Sequence, residues 1–402
     1  MATASAQPAG TTPLAPARGA ILAAAMLTIM AAAIIAPSLP AMSKAFAGTP
    51  GADLLVRFAL TITSLAIAVS APFSGVVADR LGRRSLLVAA LVLYAGSGTA
   101  GFFATELYLL LATRALLGIA VGAIMTAVSA TITDWFDGPQ RASFLGLQQA
   151  FASLGGVVFL PLAGLLAAVS WRAPFWIYAV SAVVAVLAVR ALPEEPRAGR
   201  GTAPGSPHGA GRFLTSRITG LYVLALVATL VFYMAPTQLP FLLSSQGSGP
   251  AATGAVIAGS TLASAVGALA FPALRRLMSP SAITAVSIAL LGAGWLLVGT
   301  AGSVAQTAAG LLVGGAGVGL AVPNLNLRLS ELAHPDQRGR VLSGLVTGIF
   351  LGQFLSPLAV QPLVRMTGIA GAFTWTGIAM AAGAALAGAG AWRTSTRRTA
   401  GR

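Results

Sequence analysis

Two groups of charged side chains stand where an otherwise apolar chain has least use for them. The first is the ten-residue run Gly75 to Arg84, GVVADRLGRR, in which one carboxylate, Asp79, lies among Arg80, Arg83 and Arg84, with glycines at positions 75 and 82. A carboxylate facing guanidinium groups makes charge-assisted, often forked hydrogen bonds. The chemistry on offer is therefore a salt-bridged latch rather than catalysis. Glycine suits a tight turn where backbones must approach closely. The second group is Arg114, set about a third of the way into an apolar stretch and the one charge read there. A cation at such depth costs about 2.5–3.5 kcal/mol on insertion scales, so it should face a polar interior. Gly118 and Gly122 follow it at intervals of four, which puts all three on one helix face.

The elements that position these groups follow from composition. The chain has 402 residues, 56% hydrophobic and 8% charged, against about 25% charged in soluble domains. So little charge cannot cover a soluble protein of this length, and the chain reads as an all-α integral membrane protein with many spans. A net charge of +15 would suggest nucleic acid in a soluble protein. Here the basic residues are spread among loops, where the positive-inside rule accounts for them, and no nucleic-acid partner is expected. There is no cysteine. The spans carry no metal-ligand cluster and no acid–base pair, and no nucleotide-binding loop occurs. Neither a metal nor a cofactor is expected, and an enzyme or a sensor is disfavoured against a carrier. The first apolar stretch, Ala20 to Leu39, is long enough to span and lacks a cleavage site for a secretory signal.

Twelve helices are predicted, over 20–41, 55–77, 85–104, 107–132, 142–169, 173–191, 217–243, 251–274, 281–300, 304–328, 340–364 and 369–392. Of the 24 Lys and Arg, nineteen fall on the side that holds the N-terminus, four (Lys44, Arg57, Arg172 and Arg365) on the other, and Arg114 within a span. That segregation predicts both termini in the cytoplasm and an even number of spans in the plasma membrane. Residues 192–216, beginning LPEEPRAGRG, read as a solvated linker. It separates a six-helix half, 1–191, from a second, 217–392, and a basic tail fills 393–402. The halves repeat: Gln140-Arg141 recurs as Gln337-Arg338, Gly156 and Pro161-Leu162-Ala163 as Gly352 and Pro357-Leu358-Ala359, and Gly118 and Gly122 as Gly315 and Gly319. Their order points to a duplication.

The run from Gly75 to Arg84 resembles the loop between helices 2 and 3 of the major facilitator superfamily. Gly75, Asp79, Arg80, Gly82, Arg83 and Arg84 all match its pattern. The resemblance implies a network of Asp79, Arg83 and Asp134, with Asp79 facing the start of helix 11. Arg114, Gly118 and Gly122 resemble the helix 4 motif of the twelve-helix drug–proton antiporters, in which the arginine supports proton coupling. Gly156, Pro161 and Gly164 match that subgroup's helix 5 motif, while Leu160 and Leu165 replace glycines that would let helix 5 pack on helix 8. Trp171, Arg172, Pro174 and Phe175 look like the same subgroup's loop before helix 6. The family implies two six-helix halves with a substrate site near the midplane between them. It also implies a monomer that moves a small molecule across the bilayer by alternating access, with the proton as candidate coupling ion. Export is one expectation; a facilitator or importer without proton antiport is the alternative.

Polar side chains within the predicted spans are candidates for the cavity wall: Gln149 and Ser153 in helix 5, Tyr233 and Gln238 in helix 7, Gln353 in helix 11, with Arg114. Met26, Met30 and Phe232 would add an adaptable apolar surface. Pro37 and Pro40 in helix 1, and Pro236 and Pro240 in helix 7, fall at corresponding places and predict interrupted helices near the site. All nine acids lie in loops or at helix ends, so weak proton coupling is expected. Asp53 and Arg57, one turn apart, are expected to pair.

Overall fold

A computed structural model describes residues 15–193, 215–334 and 337–399; the backbone of Asp79 and Arg338 is included but not their side chains. Most of the predicted linker lies outside the described residues. Apolar stretches of 19 residues or more satisfy their own backbone as helices, and among the described residues eleven are long and apolar enough to cross a membrane. The last of these, within Arg338–Thr399, holds two spans, because Gly368 has φ 75 and ψ 173 in the middle of it. The twelve spans are α1 Ala15–Ala45, α2 Ala52–Leu81, α3 Arg83–Phe103, α4 Leu107–Trp135, α5 Gly138–Val169 and α6 Ala173–Ala191 in the first half. The second half has α7 Ser216–Ser245, α8 Pro250–Leu277, α9 Pro280–Gly299, α10 Val304–Leu332, α11 over 338–367 and α12 over 369–399. The predicted basic tail continues α12 as helix through Thr399.

The prolines act as expected in α1 and α7. The helix of α1 stops at Ala33, passes through a 3-10 turn over Ala36–Ser38 and resumes at Leu39. In α7 it stops at Phe232 and resumes at Met234. Proline has no N–H to continue the ladder, and its ring crowds the preceding turn.

The two halves share a frame of small residues. A side chain at Gly118 would collide with the Thr63 carbonyl of α2, and one at Gly315 with the Ser260 carbonyl of α8. Both pairs, 118 with 315 and 63 with 260, are 197 positions apart. The expected pairing of Gly156 with Gly352 is off by one residue. It is Gly155 that abuts the Met26 carbonyl of α1, as Gly352 abuts the Leu226 carbonyl of α7. The spacing from 155 to 352 is again 197. A single step on a helix turns the side chain by about 100°, which frees Gly156 to face a different neighbour.

Within the halves the frame is filled differently. In the first, the buried Tyr94 donates to the Leu27 carbonyl at 2.9 Å and Tyr178 to the Ala31 carbonyl at 2.7 Å, tying α3 and α6 to α1. In the second, Trp295 of α9 donates its indole N–H to the Val231 carbonyl of α7 at 3.0 Å and meets Phe373 of α12 edge-on at 5.6 Å. Aromatic side chains of this kind add polar anchorage to a large apolar contact.

Candidate functional site between the two halves

The seam between the halves is closed at one end and not at the other. At the end where α2 begins and α7 finishes, Arg57 donates Nε to the Gln238 side-chain oxygen at 3.2 Å, and its guanidinium lies 4.2 Å from the Phe241 ring centre. Arg57 is 5% exposed and Gln238 is 0% exposed. At the next residue, Phe58 of α2 stacks on Phe354 of α11 with centroids 5.6 Å apart. Ser64, about 18 Å along α2 at 1.5 Å per residue, donates to the Gln353 oxygen at 2.7 Å. The second seam joins α5 to α8. A side chain on Gly164 would stand 2.6 Å from the Pro250 carbonyl, and Gly254 lies against the Leu160 carbonyl and Gly164. Farther down, Gly156 faces the Thr261 methyl. The resumed helices of α1 and α7 also touch at this end.

Past mid-depth the same spans turn outward. Phe73 is 67% exposed and Val76 53% on α2. On α5, Leu145, Leu147 and Gln149 are exposed, as is Leu269 on α8. The contacts described at this open end join neighbours of one half. Arg83 of α3 pairs with Asp134 of α4, both about one third exposed. Arg84 donates to the Val189 carbonyl of α6 at 2.6 Å, and Arg141 pairs with Asp137 one turn away at 2.8 Å.

Several expected roles change on this geometry. Of the implied network Asp79–Arg83–Asp134, the Arg83–Asp134 pair is formed; the Asp79 side chain lies outside the described residues. Arg80 is exposed. Gly82 is needed for its left-handed φ of 82, which reverses the chain between α2 and α3. Gly75 is not at a close approach: a side chain there would meet nothing within 4 Å.

Arg114 does not line the seam. It is fully buried inside the first half, where Nη2 donates to the Ser97 and Gly98 carbonyls of α3 at 3.1 and 2.8 Å. The guanidinium also lies 4.9 Å from the ring centres of both Phe175 and Tyr178 of α6. Its Nε and Nη1 donate no hydrogen bond of normal geometry among the described residues and face these rings instead. Gly118 and Gly122 turn to α2 instead, toward Thr63 and Ser70. Leu160 and Leu165 do not hold α5 away from α8. Leu160 is 1% exposed and its carbonyl is part of the Gly254 contact, while Leu165 points outward at 60% exposure.

Of the other cavity candidates, Gln238 and Gln353 bind across the seam rather than lining an open space. Met30 and Tyr233 are buried, Met26 and Ser153 half-buried, and Phe232 stacks on Trp295 at 6.3 Å. Gln149 stands exposed on the open half of α5. Pro161 lies half-buried inside α5 without ending it. The expected Asp53–Arg57 ion pair is replaced: Arg57 donates to the Asp53 main-chain carbonyl and turns its remaining edge to α7. Arg57 is thus a second buried charge, which a count of loop charges overlooks. The signal for it was an arginine a full turn inside an apolar span.

Two six-helix halves on a repeated frame, with their described hydrogen bonds to each other gathered at one end, define a multi-pass helical membrane protein. The sequence profile of the Major Facilitator Superfamily matches residues 21–357, and the chain belongs to that family. Among curated relatives, it is 28% identical over 380 residues to the class C tetracycline resistance protein of Escherichia coli, covering 91% of this chain and 93% of that one. It is 30% identical over 165 residues to the arabinose–proton symporter of Escherichia coli K12, covering 41% of this chain and only 34% of the symporter's length. Among solved structures, the nucleoside transporter NupG superposes with a TM-score of 0.76 at 12% identity, covering 92% of this chain and 99% of that one. That likeness concerns the fold alone.

Proposed function

We propose that the protein is a secondary transporter that exports small drug-like or metabolite molecules by alternating access. The observation that carries this reading is the seam: among the described residues, the side-chain hydrogen bonds between the halves run from the Arg57–Gln238 end down to Ser64–Gln353, and none is described beyond it. An interface sealed on one side of mid-depth is one of the two states that rocking halves must exchange. The open end, by the segregation of basic residues, faces the cytoplasm. A substrate would enter there, between the exposed halves of α2, α5 and α8. Export rests on the near full-length similarity to a resistance protein and on the helix 4 and helix 5 motifs.

Arg114 acts in this reading from inside the first half. Its charge is shared with α3 carbonyls and the α6 rings, so a change of its hydrogen bonds would couple the packing of α1, α3, α4 and α6. The described acids Asp53, Glu106, Asp134, Asp137 and Glu331 are all exposed, which favours the second reading of weak or absent proton antiport. The test is proton flux in proteoliposomes under an imposed pH gradient, with candidate substrates added in turn. Substrate movement with little alkalinisation is expected. Strong substrate-dependent proton flux would reject weak coupling, and no movement of any substrate class in either direction would reject transport.

A further inference from the structure

Arg57 is a buried cation whose hydrogen bonds reach no carboxylate among the described residues. The carboxylate of Asp53 acts on it only through space while Asp53 binds it through the main-chain carbonyl, and its side-chain partner is the neutral amide of Gln238. On that same amide, Nε2 is buried and donates to nothing. Amide nitrogen and oxygen share one carbon, so the unused N–H groups lie beside the guanidinium. Turning the amide over would set donor against donor. An unmet buried donor is destabilising, and so is a desolvated cation that no carboxylate binds directly. Both groups therefore lack the same thing, an anionic acceptor.

We propose that Arg57 and Gln238 form a binding site for the carboxylate of an amphipathic organic anion, occupied when the halves part at this end. The proposal rests on the alternating-access reading, because only parting separates Arg57 from the Gln238 oxygen. A carboxylate matches the two-pronged donor edge of arginine and leaves a lone pair for Gln238 Nε2. The rings of Phe241, Phe58 and Phe354 lie on the same seam and would take an aryl or alkyl body.

Equilibrium binding to the purified full-length protein tests this, by calorimetric titration with 4-phenylbutyrate, 4-phenylbutyramide and 4-phenylbutylamine. The carboxylate is expected to bind about tenfold or more tightly than the amide or the amine. Arg57→Gln should abolish that preference. Gln238→Glu should abolish it too, because a tethered carboxylate would occupy Arg57, although it strengthens the contact that closes the seam. No binding of 4-phenylbutyrate, equal affinity for the three probes, or a preference that survives in either variant would overturn the proposal. Displacement of 4-phenylbutyrate by phosphatidylglycerol but not phosphatidylcholine would assign the site to a lipid headgroup and overturn it as well. No transport is read in this assay, so a failed proposal and a failed transport reading remain distinguishable.

Discussion

At the sealed end the two halves meet through one charge-assisted hydrogen bond from Arg57 to a neutral amide, a stacked ring pair, a serine–glutamine bond and glycine-lined backbone contacts. At the open end the described ion pairs, Arg83–Asp134 and Arg141–Asp137, hold spans or turns of the first half to each other. The difference separates two jobs. In the proposed cycle, ionic contacts keep a half rigid as it moves, while the contacts that must break and re-form are small and dispersed. The neutral Ser64–Gln353 hydrogen bond contributes about 0.5–1.5 kcal/mol, the charge-assisted Arg57–Gln238 bond about 1.5–3 kcal/mol, and a stacked aromatic pair about 0.5–1.5 kcal/mol beyond its area. Contacts of that size can be given up together without trapping one state.

The largest effect is expected where backbone meets backbone. Gly254→Leu would wedge α8 from α5 at the Leu160 carbonyl. It should abolish transport and destabilise by about 1–3 kcal/mol or more, read by thermal unfolding. Gly75→Leu meets open space at the other end and should leave the unfolding temperature unchanged. Equal destabilisation by the two would break the comparison.

Arg114 separates rigidity within a half from the seam. Position 311, at the same 197-residue spacing, is a buried Leu in the second half. Replacing a poorly satisfied buried charge by an apolar side chain is often neutral for stability or better. Arg114→Leu should therefore unfold no earlier than the parent yet lose transport. Arg114→Lys, which keeps the charge without the planar fork, should lose transport as well. Full transport by Arg114→Leu would remove the residue from the mechanism.

Loss of the ion pair at the open end should matter least for stability. Arg83 and Asp134 are both about one third exposed, and exposed pairs contribute about 0–1 kcal/mol. Asp134→Asn should leave unfolding nearly unchanged while slowing transport. If Asp79 shares the network, Asp79→Asn should be non-additive with it in transport rate. Additive losses would exclude Asp79 from the network.

The spans and their division were legible because membrane-length apolar runs and segregated charges survive without any tertiary knowledge. The seam was much less legible. Gln238 and Gln353 stand out as polar residues in apolar helices, but their partners Arg57 and Ser64 lie 181 and 289 residues away in sequence. Nothing local links them. Arg57 was counted with the loop charges because burial a turn inside a helix depends on what packs over it, here Phe241 of the other half. Arg114 was recognisable as a buried charge, but which side of α4 it faced depended on α3 and α6. Gly155 and Gly156 show the same limit: adjacent small residues are equivalent in sequence, and only the neighbours decide which meets α1 and which meets α8.

The central claim is that closing one end opens the other. The chain has no cysteine, so paired spin labels can be introduced without background. One pair, Asp53→Cys with Gln246→Cys, spans the sealed end; another, Leu81→Cys with Ser343→Cys, spans the open end, all four being exposed positions. Distances are measured by pulsed electron resonance with and without Arg57→Ala, which removes the hydrogen bond and ring contact across the sealed end. Alternating access predicts that Arg57→Ala lengthens the first distance and shortens the second in the same proportion of molecules. A longer first distance with the second unchanged, or no change in either, would contradict it.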